Sequence, residues 1–206
     1  MSGLPAQGTP WDARFASEDY LYGTAPNAFV AAEAARFAPA SRVADLGAGE
    51  GRNAVFLAAR GLRVTAVDTS AVGLSKARRL AAQRGVAIET ALADVLTWTP
   101  EAPLDGAVMA FLHLPPQVRP AFWARVQTLV RPGGLVVGEW FRPEQRLEGY
   151  HSGGPPDPAW LVSEDELRSA LDPAGVRLLA RAEPVLSEGP GHRGPGAVVR
   201  LVWMRP

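Results

Sequence analysis

The stretch Val43-Ala44-Asp45-Leu46-Gly47-Ala48-Gly49-Glu50-Gly51-Arg52-Asn53 decides how the fold is read. Arg42 to Leu46 has the pattern of a short buried strand, and Arg52 to Arg60 that of a helix stopped by Gly61. Three alternate glycines between them let the backbone turn tightly and leave room for a ligand against the main chain. The spacing departs from the dinucleotide fingerprint G-x-G-x-x-G, which would need glycine where Arg52 stands. No G-K-[ST] follows either, which excludes a phosphate-gripping loop. Asp45, two residues before the first glycine, suits a ligand carrying positive charge. It equally suits a carboxylate that fixes the turn by accepting from backbone amides, and the two roles are compatible.

Outward from this turn, strands and helices alternate. Arg63 to Val67 reads as a second strand ending in Asp68, and Ser70 caps a helix that runs to Arg84 before Gly85. Val86 to Thr90 reads as a third strand with Asp94 just beyond it, and Leu104 to Leu112 as a fourth. A helix over Pro116 to Val130, stopped by Pro132-Gly133-Gly134, leads to a fifth strand over Leu135 to Trp140. The Pro- and Gly-rich excursion from Arg142 to Trp160 is too long for a plain connector and is a candidate lid. Ser163 with Glu166 forms a capping box opening a helix to about Leu171. Val176 to Ala182 and Ala197 to Met204 are the last two strands, joined by a loop from Ser187 to Gly196. With no helix between them, the last strand pairs antiparallel to its predecessor. The expected fold is α/β: a Rossmann-like doubly wound seven-stranded sheet, mostly parallel with an antiparallel last strand, in a single domain over residues 1–206. Ahead of the sheet, residues 1–9 read as a loose terminus, Trp11 to Ser17 as a short helix, and Asn27 as the cap of a helix from Ala28 to about Phe37.

Composition narrows the chemistry. The 206 residues carry 21 Lys plus Arg and 21 Asp plus Glu, so no whole-molecule field favours nucleic acid or an acidic membrane. Cysteine is absent, which excludes disulfides, thiolate catalysis and Cys-based metal sites. His113, His151 and His192 are too scattered for a metal cage, so no metal is expected. The start shows neither a basic n-region nor an apolar h-region, and no apolar run approaches a membrane span, so the expected location is cytoplasmic.

Asp45-x-Gly47-x-Gly49-x-Gly51 resembles motif I of the class I S-adenosylmethionine-dependent methyltransferases. That cofactor carries an ammonium and a sulfonium but no phosphate, in keeping with the acidic, lysine-free turn. Asp68 at the end of strand two can accept both hydroxyls of a ribose, or cap the Ser70 helix. The resemblance places Asp94 at the adenine edge, with the Val95 amide donating to a ring nitrogen. It implies a cofactor site formed by Trp11, Tyr22, Asp45, Gly47, Ala48, Gly49, Gly51, Asn53, Asp68, Thr69, Asp94, Val95 and Phe111. Residues 1–40 would then form a helical cap over the cofactor.

Further segments resemble a narrower group, the tellurite-resistance methyltransferase-like (TehB-like) proteins. These are Trp11-Asp12-Ala13-Arg14-Phe15, Tyr22-Gly23-Thr24-Ala25-Pro26-Asn27, Gly51 to Gly61, His113-Leu114-Pro115-Pro116, Arg131-Pro132-Gly133-Gly134 and Glu188-Gly189-Pro190-Gly191-His192-Arg193-Gly194. The resemblance implies a small methyltransferase acting on a small-molecule acceptor, as a monomer or homodimer, without nucleic acid or membrane. It does not imply tellurite. His113 and His192 are the catalytic candidates, as base or substrate contact, and Arg193 beside His192 is a candidate substrate contact for an anionic acceptor. Arg14 and Arg142 are weaker candidates of the same kind. Trp11, Tyr22 and Phe111 can offer ring faces to the sulfonium, while Trp98, Trp123, Trp140 and Trp160 read as packing residues and His151 as surface. The alternative to an enzyme is a non-catalytic adenosylmethionine-binding sensor or partner subunit.

Overall fold

The computed structural model describes residues 9–206. The expected loose terminus lies almost wholly outside the described residues, as do the first eight residues of the expected cap. In chain order the elements are α1 (Pro10–Arg14), α2 (Ala28–Glu33), β1 (Arg42–Leu46), α3 (Arg52–Ala59), β2 (Arg63–Asp68), α4 (Ala71–Gln83), β3 (Glu89–Leu92) and β4 (Leu104–Ala110). They continue with α5 (Arg119–Leu129), β5 (Val130–Phe141), α6 (Glu144–Leu147), α7 (Glu164–Ala170), β6 (Val176–Ala182), β7 (Val185–Glu188), β8 (His192–Pro195) and β9 (Val198–Met204).

The seven-stranded sheet has the order β3-β2-β1-β4-β5-β9-β6, and β9 runs antiparallel to both β5 and β6. Its strands alternate between two buried faces. Ala44, Leu46, Ala107, Met109, Val136 and Trp140 pack with Phe122, Trp123 and Val126 of α5 on one side. Val43, Val64, Ala66, Val108 and Val137 pack with Phe29, Val30, Ala54, Leu57 and Leu74 of α2, α3 and α4 on the other. Chain order reverses between β1 and β4, which opens a crevice at the carboxyl ends of the strands.

Several boundaries differ from the sequence expectation for identifiable reasons. The third strand starts at Glu89, where pairing with Thr65 of β2 begins. Val86 and Ile88, whose bulk suggested a strand, instead pack beneath Val55, Leu80 and Ala81 of α3 and α4. The loop expected from Ser187 to Gly196 is largely a separate hairpin, β7 against β8, with Glu188 opposite His192. At α7, Ser163 caps as expected by accepting from the Glu166 N–H at 3.0 Å. The Glu166 carboxylate does not return to close the box. It accepts the Trp123 indole N–H at 2.7 Å and pairs with Arg119 at 3.0 Å, partners that better compensate a half-buried charge.

Candidate active site

The glycine turn is built as a ledge over the ends of β1 and β2. The Gly47 and Ala48 amides both donate to the Val67 carbonyl, at 2.9 and 3.1 Å, and the Gly49 amide donates to Asp68 Oδ2 at 2.7 Å. The other oxygen of Asp68 accepts from the Ser70 amide at 2.8 Å. The carboxylate thus ties the turn to the start of α4, and its remaining lone pairs border the cavity. Burial pushes the Asp68 pKa up against these bonds.

Two residues assigned to the cofactor from sequence do not reach the cavity. Asp45 is buried behind the turn, with Oδ2 accepting from the Ala54 amide at 3.0 Å and Oδ1 without a partner among the described residues. Burial pushes its pKa up to about 7. Its direct role is therefore to pin the start of α3. Gly51 sits at φ +86°, where a Cβ would overlap that of Ala77, so this glycine brings α3 close to α4 rather than making room for a ligand.

A cavity of about 810 Å³ runs across the carboxyl ends of the strands. The remaining cofactor candidates border it: Trp11, Tyr22, Gly47, Ala48, Gly49, Asn53, Asp68, Thr69, Asp94, Val95 and Phe111. Asp94 Oδ1 accepts from the Leu96 amide at 2.8 Å, a local turn that fixes the carboxylate at the end of β3. Phe111 adopts φ +58°, a strained conformation for an aromatic residue, which the fold sustains directly at the cavity wall. His113 and His192 also border the cavity.

Arg193 does not border the cavity. Side chains alternate across a strand, so with His192 of β8 turned inward, Arg193 is exposed. Arg142 is likewise spent elsewhere, paired with Glu144 at 3.0 Å and Glu183 at 2.7 Å. Trp160 borders the cavity instead of packing in the core, together with Gly153 to Asp157 of the expected lid. That segment is held by Arg146, which donates to the Pro155 carbonyl at 2.9 Å and the Gly153 carbonyl at 3.0 Å.

A buried polar network behind the cavity had no counterpart in the sequence reading. Asn27 caps α2 as expected, accepting from the Val30 amide at 2.9 Å. Its Nδ2 also donates to Glu139 at 2.7 Å and to Glu188 at 3.0 Å. Glu139 is paired with Arg200 at 2.6 Å, and Glu188 with Arg52 at 2.6 Å, its carboxylate 3.9 Å from His192 Nδ1. Burial pushes the Glu139 pKa up. Burial also acts upward on Glu188, but His192 and Arg52 outweigh it and leave the pKa lowered. The same hairpin holds the N-terminal segment: the Gly191 amide donates to the Leu21 carbonyl at 2.8 Å, and Tyr22 packs on His192 with ring centres 4.4 Å apart. The lone lysine, Lys76, secures the preceding loop through an ion pair with Glu50 and donation to the Ser17 and Asp19 carbonyls at 2.9 and 2.6 Å.

Residues 43–134 match the family described as Methyltransferase domain. Trans-aconitate 2-methyltransferase of Paracidovorax citrulli is 45% identical over 117 residues, 54% of this chain and 42% of that protein. The chain spans about two fifths of the length of the curated relatives it matches. Among solved structures, one from work on the conversion of a disulfide bond into a thioacetal group during echinomycin biosynthesis has a TM-score of 0.74 at 22% identity, covering 95% of this chain and 90% of that one. TehB from Haemophilus influenzae has a TM-score of 0.69 at 20% identity, covering 89% and 63%. Both likenesses are of fold.

The residues at the cavity fit S-adenosylmethionine on their own chemistry. Acidic side chains stand at the ends of β2 and β3, the glycine ledge offers backbone, and Arg52 and Lys76 are bound to Glu188 and Glu50 rather than turned to a phosphate. Residues 43–134 thus carry a match to the methyltransferase-domain family, and the flanking segments complete the fold shared with these solved structures.

Proposed function

We propose that this protein transfers a methyl group from S-adenosylmethionine to a small-molecule acceptor. The observation that carries this reading is the extent of the cavity. It continues past the glycine ledge and Asp94 to His113, Phe141 and Trp160, so it has a second compartment beyond the residues suited to the cofactor. A sensor that only bound the cofactor would not need that compartment. Asp68 and Asp94 would hold the ribose and adenine, and Trp11 and Tyr22 would cover them from the N-terminal cap formed by the described residues up to 40. When bound, the cofactor supplies an electrophilic methyl group on a sulfonium.

The chain's own part is alignment and exclusion of water. His113 stands just beyond β4 at the acceptor side. Burial holds its pKa down at about 3, so the imidazole is neutral near pH 7 and can accept a hydrogen bond, while burial opposes its taking up a proton. His192, also kept neutral by burial, packs edge-on against Phe111 and Phe141 at ring-centre distances of 4.3 and 5.2 Å and shapes the same compartment. The balanced charge offers no field for nucleic acid, and we take the protein to be cytoplasmic, working as a monomer or homodimer. None of the described helices is long and apolar enough to cross a membrane.

Calorimetric titration with S-adenosylmethionine, S-adenosylhomocysteine and NAD tests the reading. Both adenosyl ligands should bind and NAD should not. Asp68→Ala, which removes the ribose acceptor, should weaken adenosylhomocysteine at least tenfold. Wild-type protein that ignores both adenosyl ligands would sink the proposal.

A further inference from the structure

The two halves of the cavity differ in charge. Toward β2 and β3 it is bordered by Asp68 and Asp94, and toward β4 and β5 by Phe111, His113, Leu114, Phe141 and Trp160. The charged side chain on that second half is Asp157, an exposed anion whose carboxylate accepts from the Ala159 amide at 2.9 Å. Among the described residues, two arginines border the cavity. Arg52 is neutralised by Glu188, and Arg14 sits on the exposed N-terminal rim, over the Trp11 ring and 3.4 Å from the Tyr22 hydroxyl. Arg119, which packs behind the second half, is spent on the Leu161 and Ala159 carbonyls and on Glu166.

An anion entering this half would lose its hydration without gaining a cation, which disfavours it in a buried setting. A cationic acceptor would meet the positive charge of the bound sulfonium. Neutral ligands face neither penalty. The walls also favour rings: Phe111 stacks on Phe141 at 4.5 Å, and His113 lies parallel to Phe141 at 6.0 Å. Within this apolar setting one polar group lacks a partner. Both ring nitrogens of His113 are shielded from solvent; the Trp160 backbone lies near enough to accept from one N–H, and the other nitrogen has no partner among the described residues. A neutral imidazole offers one donor and one acceptor; with the N–H directed at the Trp160 backbone, the acceptor nitrogen is left unmet, which is unfavourable.

We infer that the second half of the cavity receives an uncharged aromatic acceptor bearing a hydroxyl or thiol, its ring against Phe111, Phe141 and Trp160 and its O–H or S–H donating a hydrogen bond to the open nitrogen of His113. The inference rests on the methyl-transfer reading and adds the acceptor's class to it.

The test uses the full chain saturated with S-adenosylhomocysteine and three probes of one size: 2-naphthol, 2-naphthoate and decahydro-2-naphthol. Calorimetry should show 2-naphthol binding at least tenfold more tightly than the carboxylate and several-fold more tightly than the saturated alcohol. His113→Phe should weaken 2-naphthol about five- to tenfold, and His113→Gln, which keeps a hydrogen-bonding group, should recover part of the loss. Adenosylhomocysteine affinity should stay unchanged in both variants, which shows that they are folded. Equal or tighter binding of 2-naphthoate, equal binding of the saturated alcohol, or no binding of any probe to the loaded protein would each overturn the inference. Failure of wild-type protein to bind adenosylhomocysteine would remove the methyl-transfer reading itself, and the acceptor assignment with it.

Discussion

Gly51 illustrates how one residue type can serve two ends that a sequence does not separate. In the motif it is the third glycine of a ligand-binding turn, yet its positive φ and its approach to Ala77 give it a packing role. Gly51→Ala should therefore lower stability by about 2–4 kcal/mol, combining left-handed strain with overpacking at the α3–α4 contact. A denaturant titration should show a lower midpoint at constant slope, and adding Ala77→Gly should restore part of the loss. Unchanged stability with weakened adenosylhomocysteine binding would mean that Gly51 serves the ligand after all. Asp45, buried behind the turn, and Arg193, exposed on β8, take positions that the motif alone does not fix. The residue types at strand ends and loop tips are legible, because motif spacing fixes them. Which face a side chain takes depends on pairing, as when β8 turns His192 inward and so Arg193 outward.

Elements that form from neighbouring residues were the easiest to foresee. β1, α3, β2 and α4 follow from local periodicity, caps and glycine stops, and lie within a residue or two of expectation. The hairpin β7–β8 is harder to read, because its strands are only four residues each, joined by the turn Gly189-Pro190-Gly191, and gain their order from distant partners. Asn27 shows both cases at once: its capping bond spans three residues, while its bonds to Glu139 and Glu188 span 112 and 161. Glu188 is the joint through which the hairpin holds the N-terminal segment, since it also accepts from the Ala28 amide at 3.3 Å. Glu188→Ala would strand the buried Arg52 charge and cost about 3–5 kcal/mol. Glu188→Gln keeps an acceptor for Asn27 but loses the ion pair. In that milder variant, amide hydrogen exchange should accelerate at residues 21–28 and 191–195 while the strands of the main sheet keep their protection. Exchange that is unchanged there would show that the hairpin is not what fastens the N-terminal segment.

For the molecule as a whole, the buried titratable groups around the cavity act on stability in opposing directions over one pH range. Asp45 has a folded pKa of about 7 against an ordinary 3.8, so the folded state holds the extra proton between those values. Its contribution is greatest below about pH 4 and is lost as pH rises toward 7. Asp68 and Glu139, also raised by burial, have the same sign. His113 runs the other way: its folded pKa of about 3 lies below the ordinary 6.5, so the unfolded chain holds the extra proton. Its contribution is full above 6.5 and is lost as pH falls toward 3, and His192 shares that sign. A single group of either kind contributes a slope of up to about 1.4 kcal/mol per pH unit, so Asp45 and His113 largely cancel between pH 4 and 6.5. Wild-type stability should accordingly vary little across that window. Removing one partner should expose the other: Asp45→Asn should make stability rise with pH relative to wild type, and His113→Phe should make it fall. Urea titrations at half-unit steps from pH 4 to 7.5 measure both slopes. Parallel curves for the two variants would show that these groups are not held in the protonation states their burial imposes, and that the cavity admits enough water to hydrate them.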